Sequence, residues 1–169
     1  MLLTLLVTGL LCLCSLGFVL IIPYFARTKL LMKFLPQDIR DAARDHRDPP
    51  PARLAVGYFM FLAMAVMFVG SYVFLGADGL RNGYGFWKLF GRYLFVLYGY
   101  KLFDILVQDQ YIVITKQYFV KFYPETKDCR SWQDRSFNTK NQMIRLIIFP
   151  FTAALLAGIT LLAGAGLSH

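Results

Sequence analysis

Apolar residues in this chain are gathered into long unbroken runs and do not recur at the spacing expected of half-buried helices or strands. Leu2–Ile22 is free of charge and is closed by Pro23 and Tyr24. Leu54–Leu75 is also free of charge and rich in Phe, Met and Val, and Leu146–Leu167 carries no charge but contains Pro150, Thr152 and Thr160. About 20 residues of helix cover a hydrocarbon core ~30 Å thick, so hydropathy alone predicts three membrane-spanning helices. Pro150, about a turn inside the last of them, predicts a kink near its cytoplasmic end. Ala154 and Gly158 form a small-xxx-small pair in that span and would let another helix approach closely.

A fourth span is predicted from charge. The stretch from Trp87 to Ile114 holds Lys88, Arg92, Lys101, Asp104, Gln108 and Asp109, which is polar for a membrane helix. Residues 25–53 contain seven Lys/Arg and residues 116–145 another seven, together 14 of the chain's 18. Basic residues accumulate on the cytoplasmic side, so an even number of crossings separates these loops, and 87–114 must supply the second. Arg81, Lys88 and Arg92 then fall near the outer face, against that charge bias. The expected fold is all-α: a single transmembrane domain over 1–169, with spans at about 2–22, 54–75, 87–114 and 146–167. The cytoplasmic loops are about 25–53 and 115–145, and both termini lie outside a plasma (inner) membrane. The first run has no basic segment before it and no A-x-A-like site after it, so it reads as an anchor and not as a cleaved signal.

Composition supports this class. With 57% hydrophobic and 17% charged residues, the chain is too apolar for a typical soluble domain. The net charge of +8 would suggest nucleic acid in a soluble protein, but here the membrane-side accumulation of Lys and Arg accounts for it. Cys12, Cys14 and Cys129 form no disulfide framework. On a helix, Cys12 and Cys14 point about 200° apart, which makes a poor chelator.

The third span carries the polar feature most in need of a reason. At about 100° per residue, Tyr93, Lys101, Asp104, Gln108 and Tyr111 share one arc of a helical wheel. If Arg92 marks the outer interface, Lys101 and Asp104 lie near mid-membrane, where each charge costs about 2.5–3.5 kcal/mol. Pairing at i and i+3 would remove much of that cost. Three readings fit: a proton, ion or substrate site, a polar contact to a partner subunit or a second copy of the chain, or a pair that fixes helix packing.

The loops suggest a membrane-hugging cap. Residues 37–48, bracketed by Pro36 and Pro49–Pro51, predict a short helix with Asp38, Asp41, Asp45 and Asp48 on one face and Arg40, Arg44 and Arg47 opposite. In the second loop Phe119, Phe122 and Tyr123 recur beside Lys116, Lys121 and Lys127, the pattern of an interfacial segment. Trp132 and Phe137 offer a further apolar contact among Arg130, Asp134, Arg135 and Asn138. The six cations Arg40, Arg44, Arg47, Lys116, Lys121 and Lys127 suit anionic lipid headgroups.

No Walker A loop, G-x-S-x-G, H-E-x-x-H or paired-Cys redox motif occurs. His46 stands alone and His169 is terminal, so no cofactor and no metal site is expected. The leading expectation is a non-enzymatic membrane protein: transport or channel-like, or an accessory subunit, working as a homo-oligomer or within a larger complex. The alternative is a membrane enzyme acting on lipid headgroups through clustered loop acids such as Asp38, Asp41, Asp45, Glu125 and Asp128.

Overall fold

The computed structural model describes residues 1–33, 35–134, 136 and 139–167, and the side chains of all of these except 140 and 167. The contact expected of Phe137 beside Arg135 and Asn138, and the terminal His169, lie outside them. The chain is all-α, with no strand among the described residues. Its α-helices are α1 (Leu2–Ile21), α2 (Thr28–Met32), α3 (Gln37–Ala42), α4 (Pro51–Arg81), α5 (Phe86–Phe103) and α6 (Thr139–Leu167).

Three of these helical stretches, at Leu2–Tyr24, Pro51–Arg81 and Asn141–Gly166, are long and apolar enough to cross a membrane. They contain the three apolar runs. The polar stretch is also helical. α5 passes directly into a π-helical segment, Asp104–Thr115, so the helix is continuous from Phe86 to Thr115. Alone, the 18 residues of α5 would rise about 27 Å, and the π-helical segment lengthens the helix beyond that. The segment closes with the Lys116 amide on the Tyr111 carbonyl and the Thr115 hydroxyl on the Gln110 carbonyl, both reaching back five residues. Gln117 then takes a left-handed conformation (φ 45°) and turns the chain away.

The chain divides into two compact units. The first comprises Met1–Leu13, Ala65–Leu102 and Lys140–His169. Its core brings together Leu11 of α1, Leu75 of α4, Leu89, Tyr93 and Val96 of α5, and Ala153 and Ala157 of α6. Ala153 and Ala157 are the fully buried small pair of α6, whereas Ala154 and Gly158 are half-buried. Gly76 permits close packing of α4, since a Cβ there would come 2.5 Å from the Tyr93 hydroxyl and 3.1 Å from Thr160.

The second unit comprises Cys14–Met64 and Phe103–Thr139. Both long loops belong to it, and they share one core: Ile22, Ala26, Leu31, Met32, Leu35, Ile39 and Ala43 meet Phe119, Tyr123 and Trp132. The helix expected over 37–48 stops at Ala42. Two contacts hold the chain after it: the His46 amide donates to the Ala43 carbonyl, and Asp48 accepts the Thr28 amide at 2.9 Å. The prolines from 49 onward disfavour helix before them. Within α3, Ile39 and the following Ala43 are the side buried against the second loop, each 0% exposed.

Candidate functional site

Arg92 is a buried cation of the first unit, and the turn between α4 and α5 builds part of its surroundings. α4 ends at Arg81, and Gly83 just beyond it has a φ of +65°, the left-handed conformation that glycine adopts without strain. The Gly83 amide returns to the Leu80 carbonyl and the Tyr84 amide to the Gly79 carbonyl, the paired bonds of a Schellman cap. That cap sets Tyr84 facing α5, where its ring lies 5.5 Å from both the Arg92 guanidinium and the Lys88 ammonium.

Three helices converge on Arg92, which is 5% exposed. Its Nη2 pairs with Asp78 Oδ2 at 2.7 Å, its Nη1 donates to the Leu75 carbonyl at 2.9 Å, and its Nε donates to Thr4 Oγ1 at 2.8 Å. A buried guanidinium is tolerated only when a counter-charge and hydrogen bonds replace its water, and here α1 and α4 supply both. Gly79 makes the approach possible: a Cβ there would meet Leu89 at 2.5 Å and Arg92 at 3.6 Å. Beside this cluster lies an open groove of about 410 Å³, lined by Met1, by Thr4 of α1 and by Tyr84, Trp87, Lys88, Gly91, Arg92 and Phe95.

The next residue in sequence, Tyr93, forms a second node. The Tyr93 hydroxyl lies 2.8 Å from Thr160 Oγ1 and 3.4 Å from the Tyr72 carbonyl, and the Thr160 hydroxyl is also 2.8 Å from the Leu156 carbonyl. The other members of the expected stripe are placed differently. Lys101 closes α5 and is 2% exposed, Asp104 opens the π-helical segment and is half-buried, and Gln108 is buried and donates to Ser15 Oγ at 2.6 Å. Tyr111 is 52% exposed, with the Lys116 ammonium 5.4 Å from its ring. A wheel drawn at 100° per residue no longer holds past Phe103, because bonds reaching back five residues wind more residues into each turn.

Sequence reasoning used Arg92 only as an interface marker and missed Thr4, Asp78 and Tyr84. A signal was present: Asp78 is the only acid between Asp48 and Asp104, a stretch that holds Arg53, Arg81, Lys88, Arg92 and Lys101.

In the second unit the loop acids serve the fold. Asp38 accepts the Ile39 amide at 2.8 Å and the Ser131 amide at 3.1 Å, tying the first loop to the second. Burial works to raise its carboxyl, but the Ser131 hydroxyl and amide and the Ile39 amide outweigh this and hold it below the usual carboxylate range. His46 Nδ1 lies 2.8 Å from Glu125 Oε1, with its ring edge-on to Tyr123 at 4.7 Å. Trp132 donates to the Thr126 carbonyl at 2.8 Å, and Tyr118 to the Leu20 carbonyl at 2.8 Å. Burial pushes the Tyr123 phenol up, with Asp48 and Glu125 adding to the shift and Thr28 opposing it. Burial also raises the Cys129 thiol, as do Asp38 and Asp128. Arg40, Arg44, Arg47, Lys116, Lys121 and Lys127 are all exposed. Among the described residues no group of three or more His, Cys, Asp or Glu is arranged to hold a metal. No family model, curated protein or solved structure matches the chain.

Proposed function

We propose that the chain is a four-span integral membrane protein that acts by binding and assembly, as an accessory subunit whose basic cap rests on the anionic cytoplasmic leaflet. The observation that carries this reading is the shared core of the two long loops. Asp38 with Ser131, His46 with Glu125, and Ile39 and Ala43 with Trp132 join the two loops in one folded unit, which supports a topology with both on the same side of the bilayer. α4 leaves that unit and the helix Phe86–Thr115 returns to it. If α4 crosses, the polar helix crosses too.

Apolar stripes on the other helices suit lipid. Ile147, Phe151, Leu155, Ile159 and Leu162 of α6, and Leu62, Val66, Val69 and Val73 of α4, are all exposed. The buried polar side chains Arg92, Tyr93 and Gln108 each bond a side chain of another helix, as residues that fix packing do. This favours the packing and assembly reading over a transport path. Of the acids that the headgroup-enzyme reading names, Asp38 and Glu125 bond across the two loops, while Asp41, Asp45 and Asp128 are exposed.

Native mass spectrometry after gentle extraction from the source membrane tests the role. Co-purification of other subunits at fixed stoichiometry is the expected result, and a lone monomer would overturn it.

A further inference from the structure

The groove beside Arg92 has the features of a lipid site, and the geometry points to the phosphate of one anionic phospholipid as its occupant, held between Lys88 and Arg92. The volume, about 410 Å³, lies in the range of small-ligand sites, which is roughly 300–1,000 Å³. Its lining has two cations, Lys88 and Arg92; Asp78 pairs with Arg92, so the net positive charge that favours an anion there is that of Lys88. Asp78, Leu75 and Thr4 take three of the guanidinium's N–H donors. Arg92 is among the groove's lining residues, with its side chain 4% exposed. Lys88 is exposed and adds an ammonium 5.5 Å from the Tyr84 ring.

The apolar part of the lining is arranged for a chain attached to that phosphate. Trp87, Gly91 and Phe95 recur every four residues and so form one stripe along α5, starting at Lys88 and running toward the middle of the helix. Trp87 is 78% exposed and packs edge-on against Phe90, in the manner of interfacial tryptophans. Gly91 leaves a notch in the stripe, since a Cβ there would find nothing within 4 Å. A free phosphate ion would gain nothing from this stripe, whereas an acyl chain would cover it.

This inference rests on the four-span reading, which puts Trp87 and Lys88 at a membrane interface. Its test does not depend on sidedness, so the two fail separately. The full chain, purified in neutral detergent, is titrated with phosphatidylglycerol, with phosphatidylcholine of the same acyl chains, and with glycerol 3-phosphate, and bound species are read by native mass spectrometry. One phosphatidylglycerol is expected to be retained in preference to phosphatidylcholine, with glycerol 3-phosphate binding far more weakly than either. Lys88→Gln should weaken the preferred lipid about fivefold, the effect of one cation near a membrane surface. Gly91→Leu should fill the notch and abolish retention with an unchanged melting temperature, and Lys88→Gln serves alone if that variant does not fold. Lys116→Gln/Lys121→Gln/Lys127→Gln in the cap should leave this single lipid bound. Equal retention of the two lipids, indifference to Lys88→Gln, or glycerol 3-phosphate binding as tightly as the lipid would overturn the proposal.

Discussion

Arg92 and Asp78 show how a single ion pair can hold helices together when its cation is buried and its carboxylate half-buried. The Arg92 side chain is only 4% exposed. Asp78→Asn would leave the buried guanidinium without its counter-charge, a change that costs about 3–5 kcal/mol in comparable sites. Asp78→Leu together with Arg92→Met should recover much of that loss, because the desolvation cost disappears with the pair; reversible unfolding in mixed micelles measures both. If the double variant is no better than Asp78→Asn, the pair is not what ties α4 to α5. At Gly76 the relevant effect is overpacking. The added Cβ of Gly76→Ala meets the Tyr93 hydroxyl and Thr160, and the same assay should show a loss of about 1–3 kcal/mol. Asp38 makes a pH prediction. Its folded carboxyl is held below the ordinary value near 3.9, so its contribution is fully present above that value and is lost as pH falls through the depressed one. Cap stability, read from Trp132 fluorescence in a Trp87→Phe background, should therefore be flat at neutral pH and fall in strong acid. Asp38→Asn should flatten the acid limb, and an unchanged limb would show that other carboxyls govern it.

Among the elements, the loops and the polar helix depart most from a simple reading of periodicity. The loop residues are short helical turns whose apolar side chains find one another across more than 80 positions of sequence, as with Ile39 and Trp132. Trp132 is 2% exposed and holds the Thr126 carbonyl. Trp132→Ala should destabilise this core by about 3–5 kcal/mol, seen as loss of amide protection over 28–43 in hydrogen exchange. Retained protection there would mean that the first loop stands without the second. In the polar helix, α5 obeys the wheel and buries Leu89, Tyr93 and Val96. The π-helical continuation does not, and Tyr111 leaves the arc of Lys101 and Gln108 for the surface.

For the molecule as a whole, the expected outcome is sidedness. Single cysteines at positions 40 and 130, in a background lacking the native three, should label from the same face, and one at position 88 from the opposite face. Labelling of 40 and 130 from opposite faces would remove the four-span arrangement. The sequence by itself determined that the protein is helical, where its three apolar runs lie, and that a basic pair of loops flanks a polar helix. These depend on composition and local spacing, to which each residue contributes independently of distant partners. Only the tertiary structure decided that the two loops form one core, that Ala153 and Ala157 are the fully buried small pair of α6, and that Arg92 is the centre of a buried cluster. Thr4, Asp78 and Arg92 lie on three different helices, and no periodicity within one helix reports which residues of another will face it. The same limit hid the groove, whose lining comes from α1, α5 and the turn at Tyr84, and which exists only once those elements have packed.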